Sequence, residues 1–325
     1  MRMQTLRRAI ATGWLFAVTF GCWKLLNHTA EADRQAPPVL REAWSPPSWH
    51  PAGERLSVLP EMEGEAQRRG PTLRSRSVFL YDLDSGEVLV SRAADDRRPV
   101  ASLTKLVSSL AMASEAPDLD EIHCIDSRFY PTRNGAKSHF STGECYRGWD
   151  YLGAAMVASD NRAAYGLQVS SGLRYDDFIE RMDEVSEELA MTLSTWADPS
   201  GLEDENLSTA RDIARAAVAV AYHPLLDLAA TAPSWRIARV KDAETRSLRT
   251  PSLRTLLTTD RLLARKDLQI FAAKTGYTDT AGYCFTAVMQ TPKHRNVVLA
   301  ILGAPKSNSR WRDVATLIDW ADEQP

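Results

Sequence analysis

Three short motifs in this 325-residue chain carry residue types that can do nucleophilic chemistry. They are Ser102-Leu103-Thr104-Lys105, Ser159-Asp160-Asn161 and Lys274-Thr275-Gly276, in that order. A serine hydroxyl is a weak nucleophile until a neighbouring base takes its proton. On a helix, residues three apart share a face, so Lys105 would stand beside Ser102. At a helix start, the backbone N–H groups around Ser102 would also suit an oxyanion or an anionic substrate. Lys105 serves as a base only when neutral, a form that burial and a second cation such as Lys274 both favour. A hydroxyl at Ser159 could relay a proton to a leaving amine. The Asn161 amide could hold Lys105 and a peptide substrate. Lys274 and Thr275 offer a cation and a hydroxyl for a carboxylate, and Gly276, lacking Cβ, lets a substrate backbone approach a strand edge.

Each motif alone has a plainer explanation: a helix cap with a surface lysine, a second helix cap, and a strand end with a turn. A Ser-x-x-Lys occurs by chance about once in a chain this long, and each tripeptide at under roughly 0.1. The ordered set of three is what carries the argument, and only a fold can bring it together.

The elements that must position these residues can be read from periodicity. Ser77–Tyr81 and Val88–Val90 read as strands flanking an Asp84-Ser85-Gly86 turn. After Pro99 the spacing of Leu103, Leu106, Val107 and Leu110 predicts a helix with one buried stripe. Residues 115–265 read as mainly helical, with an Ala-rich helix over Asp212–Ala221 that Pro224 stops. Ile270–Ala273, Tyr283–Met289 and Val297–Leu302 read as strands, and Arg310–Trp320 as a closing helix with Val314, Leu317 and Ile318 inward. The expected class is α+β, with one antiparallel sheet built from N- and C-terminal strands and a helical subdomain inserted between them.

Composition narrows the function. A 44% hydrophobic fraction supports a core, and a net charge of −3 gives no footprint for nucleic acid. Arg2, Arg7 and Arg8 precede an apolar stretch, Ile10–Trp23, and Ala30-Glu31-Ala32 resembles a cleavage site. Residues 1–32 are thus a signal peptide or an uncleaved anchor, and the rest is expected outside the cytoplasm, periplasmic in a diderm cell. Phe20 disfavours a lipoprotein reading through Cys22. Residues 33–74, rich in Pro and Arg, read as a linker, leaving 75–325 as the catalytic domain. An oxidising compartment permits a Cys124–Cys145 disulfide. His123, Cys124, His139 and Cys145 fit no standard zinc spacing, and Cys284 lies in an apolar run. No metal or cofactor is called for. There is no His-Glu-x-x-His, no Gly-x-Ser-x-Gly and no phosphate loop.

From about residue 76 onward the chain resembles the serine D-Ala-D-Ala carboxypeptidases, the low-molecular-mass penicillin-binding proteins. Pro99–Lys105, Leu207–Ala214 with its Ser208-Thr209-Ala210-Arg211-Asp212, and Lys274–Thr278 followed by Ala281–Cys284 carry the resemblance. It implies a β-lactamase/DD-peptidase-like fold and the cleavage of peptidoglycan stem peptides, with β-lactams as inhibitors. It also implies that Ser102 is the acylated nucleophile, Lys105 its base and Ser159 the relay. Asn161 would position substrate, Lys274 and Thr275 would hold the terminal carboxylate, and the N–H groups of Ser102 and Tyr277 would form the oxyanion hole. The chain departs from the family's usual residues at Asp160, Asp198 and Asp260. Glu187–Met191 does not supply the Glu-x-x-Leu-Asn of class A β-lactamases. An end soon after the closing helix is more like the endopeptidase branch, although carboxypeptidase and endopeptidase both remain open. So do a lactamase or esterase on the same fold and an idle cell-wall binding protein.

Overall fold

The computed structural model describes residues 60–126, 138–242 and 252–324. The targeting segment and the linker up to residue 59 lie outside the described residues. Strands β1 (Ser77–Asp82) and β2 (Glu87–Arg92) form the first hairpin. The short β3 (Arg98–Pro99) leads into a 3-10 turn, Ala101–Leu103, which runs on as α1 (Thr104–Ser114). The inserted part holds α2 (Gly148–Val157), α3 (Asn161–Ser171), α4 (Tyr175–Glu188), α5 (Ala210–Tyr222) and α6 (Leu226–Ala230). The chain returns as β10 (Gln269–Thr278), β11 (Gly282–Gln290) and β12 (Asn296–Ala304), then closes with α7 (Ser307–Glu323).

The inserted part is less purely helical than its composition predicts. It also contains β4 (Ile122–Cys124), β5 (Glu144–Arg147), β6 (Leu207–Ser208), β7 (Ser234–Arg239), β8 (Lys241–Asp242) and β9 (Ser252–Leu257). Most of these are too short to show a period of two, and all pair in small separate sheets, β3-β6, β4-β5-β8 and β7-β9. Cys124 and Cys145 sit opposite each other in the β4–β5 ladder and form a disulfide, with Cα atoms 3.9 Å apart. Both thiols are thereby removed from metal ligation. Closing a 21-residue separation contributes about 3 kcal/mol in the chain-entropy account.

The main sheet has the order β10-β11-β12-β1-β2, so both chain ends build it, and every pair is antiparallel. Helix α7 covers one face, with Val314, Leu317 and Ile318 packed among Val78, Leu80, Phe285, Leu299 and Ile301. Helix α5 crosses the other face and is buried nearly all round, which its run of alanines permits. The consequence for the site is that β10, carrying the third motif, is an edge strand.

Residues 60–74, assigned to the linker by composition, follow the domain surface. Met62 is buried, Arg211 donates to its carbonyl and to that of Gly64, and Arg215 donates to the Glu61 carbonyl and the Glu63 carboxylate.

Candidate active site

Lys105 is fully buried, and its ammonium makes three short contacts. Nζ donates to Ser102 Oγ at 2.8 Å, Asn161 Oδ1 at 2.8 Å and the Ser200 carbonyl at 2.7 Å. The first two motifs therefore meet on one nitrogen. Burial pulls the Lys105 pKa down to about 8, against the pull of the Asp198 and Asp160 carboxylates.

The third motif closes the group from the other side. Lys274 is buried, and its Nζ donates to Ser159 Oγ at 2.9 Å and to the Thr275 carbonyl at 3.1 Å. Burial first, then repulsion from Lys105 and Arg310, hold its pKa well below the usual lysine value, while Asp260 works the other way. Thr275 Oγ1 lies 2.6 Å from Thr259 Oγ1. Tyr277 is half-exposed on the same strand and stacks on Tyr283 at 4.2 Å.

The structure gives Gly276 a further reason to be glycine. A Cβ there would stand 2.9 Å from the Val100 carbonyl oxygen and 3.2 Å from Ser102 N. The missing side chain lets β10 lie against the nucleophile turn itself. That close approach brings the backbone of the third motif beside the Ser102 N–H, as an oxyanion hole requires.

The site is held by strained backbone. Ala101 (φ 51°) and Ser159 (φ 57°) both occupy the left-handed region, which costs a residue with a Cβ about 1–2 kcal/mol. Each strained residue belongs to a motif or adjoins one, a common placement for stored strain. Asp160 explains how the second turn persists. Its carboxylate caps α3 through the Ala163 N–H and accepts from Ser138 Oγ, His139 N and His139 Nδ1. Burial works to raise this carboxyl, but those hydrogen bonds outweigh it and leave it below the usual range. The cap residue is thus Asp160, which frees Ser159 and Asn161 to face Lys274 and Lys105.

Several contributors carry no role in the sequence reading. The Ser200 carbonyl fixes Lys105, and its loop is held by Asp198, which accepts from Ser200 Oγ, Gly201 N and Asn206 Nδ2. Gly201 has φ 82°, and a Cβ on it would fall 1.9 Å from the Ala101 carbonyl oxygen. Arg310, buried on α7, donates to the carbonyls of Gly276 and Cys284 and so pins β10 to β11. Thr259 joins the motifs again, since its N–H donates to the carbonyl of Val157. The Asp198-Pro199-Ser200-Gly201-Leu202 segment is a visible signal in the sequence. A single arginine 34 residues after Gly276 is not.

This arrangement of Ser-Lys, Ser-Asn and Lys-Thr-Gly groups on an α+β fold defines a serine acyl-transfer enzyme. Residues 64–306 match the family described as D-alanyl-D-alanine carboxypeptidase, and the chain belongs to that family. It is 31% identical over 251 residues to a D-alanyl-D-alanine endopeptidase of Pseudomonas aeruginosa, covering 77% of this chain and 78% of that one. To the D-alanyl-D-alanine endopeptidase of Escherichia coli it is 29% identical, with 78% of each chain covered. The crystal structure of a D-alanyl-D-alanine carboxypeptidase from Mycobacterium tuberculosis superposes with a TM-score of 0.69 at 24% identity, covering 81% of this chain and 97% of that one.

Proposed function

We propose that this serine DD-peptidase is exported and opens D-Ala-D-Ala-type bonds of peptidoglycan, cross-links included, through an acyl-enzyme on Ser102 that β-lactams also form. One observation carries the residue assignment: a buried amine with a depressed pKa, 2.8 Å from a serine hydroxyl at a helix start. Identity to endopeptidases over three-quarters of the chain supports cross-links as substrates. Export rests on the basic and apolar segments before Ala32.

Burial lowers both amines and repulsion from Lys105 lowers Lys274 further, so in this reading Lys105 and Lys274 share one proton. A substrate carboxylate beside Lys274 and Thr275 draws that proton to Lys274. Lys105 is then neutral and takes the Ser102 hydroxyl proton as Oγ attacks the carbonyl carbon. The N–H groups of Ser102 and Tyr277 receive the oxyanion. Collapse breaks the C–N bond, the proton taken by Lys105 passes through Ser159 to the leaving amine, and the acyl group stays on Ser102 as an ester with Lys105 neutral again. Water then attacks the ester with Lys105 again as base, releasing acid and free Ser102. The hydrogen bond from Lys274 holds the Ser159 relay hydroxyl in place.

Intact-protein mass spectrometry after penicillin treatment tests this reading. One adduct is expected on the wild type and none on Ser102→Ala. An undiminished adduct on the variant would refute the nucleophile assignment.

A further inference from the structure

Among the described residues, the two most exposed large apolar side chains are Leu257, 73% exposed, and Leu253, 60% exposed. Both lie on β9, four residues apart, and so share one face of the strand. Thr255 lies between them. Across the ladder that face continues through Ser234, Arg236 and Ala238, which pair with Leu257, Thr255 and Leu253. Arg236 is exposed and forms no ion pair among the described residues. On the opposite face, Leu256 and Ile237 are buried. The result is an open strip with a free cation flanked by two leucines.

The strip leads to the active site. The ladder extends past β9, since Thr258 N donates to the Pro233 carbonyl. Thr259 follows where the ladder ends, two residues after Leu257; it is exposed, its N–H turns to the Val157 carbonyl, and its hydroxyl meets that of Thr275. From Thr259 back to Thr255 and its partner Arg236 is four residues, a span of at most about 13 Å.

A substrate whose carboxylate rests on Thr275 has its leaving residue at this end. A terminal D-Ala stops there. When the scissile bond is a cross-link, the leaving residue carries the same carboxylate but its side chain continues into a second stem peptide. That second peptide is extended, has aliphatic stretches and carries free carboxylates. We propose that the β7–β9 face, Leu253, Leu257 and Arg236 above all, is a subsite for the second stem peptide on the leaving side of a cross-link. This rests on the DD-peptidase reading above and deepens it. The leucines cover the aliphatic part, Arg236 meets a carboxylate, and the continuity with Thr259 and Thr275 fixes the direction.

The test compares two substrates on the full-length protein: a purified cross-linked muropeptide dimer and a soluble diacyl-D-Ala-D-Ala peptide. The quantity read is the ratio of kcat/KM, dimer over short peptide. Arg236→Glu should lower it at least fivefold, through KM, and Leu257→Ser should lower it less. Amidating the dimer's carboxylates should abolish the Arg236→Glu effect. A penicillin adduct formed at the wild-type rate certifies that each variant is folded, and Arg236→Gln replaces any variant that fails this check. An unchanged ratio overturns the proposal, as does a wild type that cleaves the short peptide but not the dimer. A wild type that forms no adduct and cleaves neither substrate overturns the DD-peptidase reading first, and this inference with it.

Discussion

Removing the Lys274 ammonium should harm one kind of substrate and spare another. Lys105 has a pKa of about 8, so on its own it is neutral in about a tenth of molecules at pH 7. In the proposed mechanism, a carboxylate bound to the wild type draws the shared proton to Lys274, and Lys105 becomes fully available. In Lys274→Ala there is nowhere for that proton to go, which costs about tenfold at pH 7. The lost charge-assisted bond to the carboxylate costs about 1.5–3 kcal/mol, or roughly 10- to 150-fold. Together kcat/KM on diacyl-D-Ala-D-Ala should fall about 10²- to 10³-fold at pH 7. The tenfold part should vanish by pH 10, where Lys105 is neutral in either protein. An amidated peptide brings no carboxylate, so neither component applies and the loss should stay within a few-fold. Steady-state kinetics on both peptides at the two pH values, with circular dichroism to confirm the fold, measures each part. Equal losses on both peptides would refute the proton-sharing argument, and no loss on either would make the third motif structural.

Two further substitutions probe how the site is held and tuned. Burial pushes the Asp260 carboxyl up to about 6, against the Leu262 N–H, Arg310 and Lys274, and its Oδ2 has no hydrogen-bond partner. As pH rises through about 6 this carboxyl ionises and supports the Lys274 ammonium, so Asp260→Asn should raise KM for carboxylate peptides about three- to tenfold above pH 6 and little below it. A pH-independent change would refute this. Gly201→Ala places a Cβ 1.9 Å from the Ala101 oxygen at φ 82°. The left-handed cost of about 1–2 kcal/mol and an overpacking cost of about 1–3 kcal/mol should lower Tm by at least about 4 °C and slow acylation of Ser102. A wild-type Tm and acylation rate would show that this contact does not fix the nucleophile turn.

The sheet and its two covering helices were legible because their signals are local. The continuous apolar runs over Ser77–Tyr81 and Val297–Leu302, and the stripe Val314, Leu317 and Ile318, each lie within a few residues, and burial follows them directly. The motif residues were legible because hydroxyls, amines and an amide in a fixed order have few other uses. What stayed hidden acts through the backbone. The Ser200 carbonyl that holds Lys105 could belong to any residue type, and nothing in Ala101 or Ser159 announces a positive φ. Short strands such as β4 and β5 form because a disulfide and a ladder meet there, and neither has enough residues to show a period.

The hidden part is also the part that positions the chemistry. Gly201 and Gly276 each sit where a Cβ would strike the turn that carries Ser102, one against the Ala101 carbonyl and the other against that of Val100. Two separate segments thus close on a strained turn from different sides. Asp198 locks the first through its hydrogen bonds to the 198–206 loop, and Arg310 locks the second through the Gly276 and Cys284 carbonyls. A turn with φ 51° at Ala101 persists only when its surroundings leave it no relaxed alternative. Side chains that never touch substrate therefore set the geometry in which Lys105 reaches Ser102. By this argument, relaxing either clamp should slow acylation even with all three motifs intact.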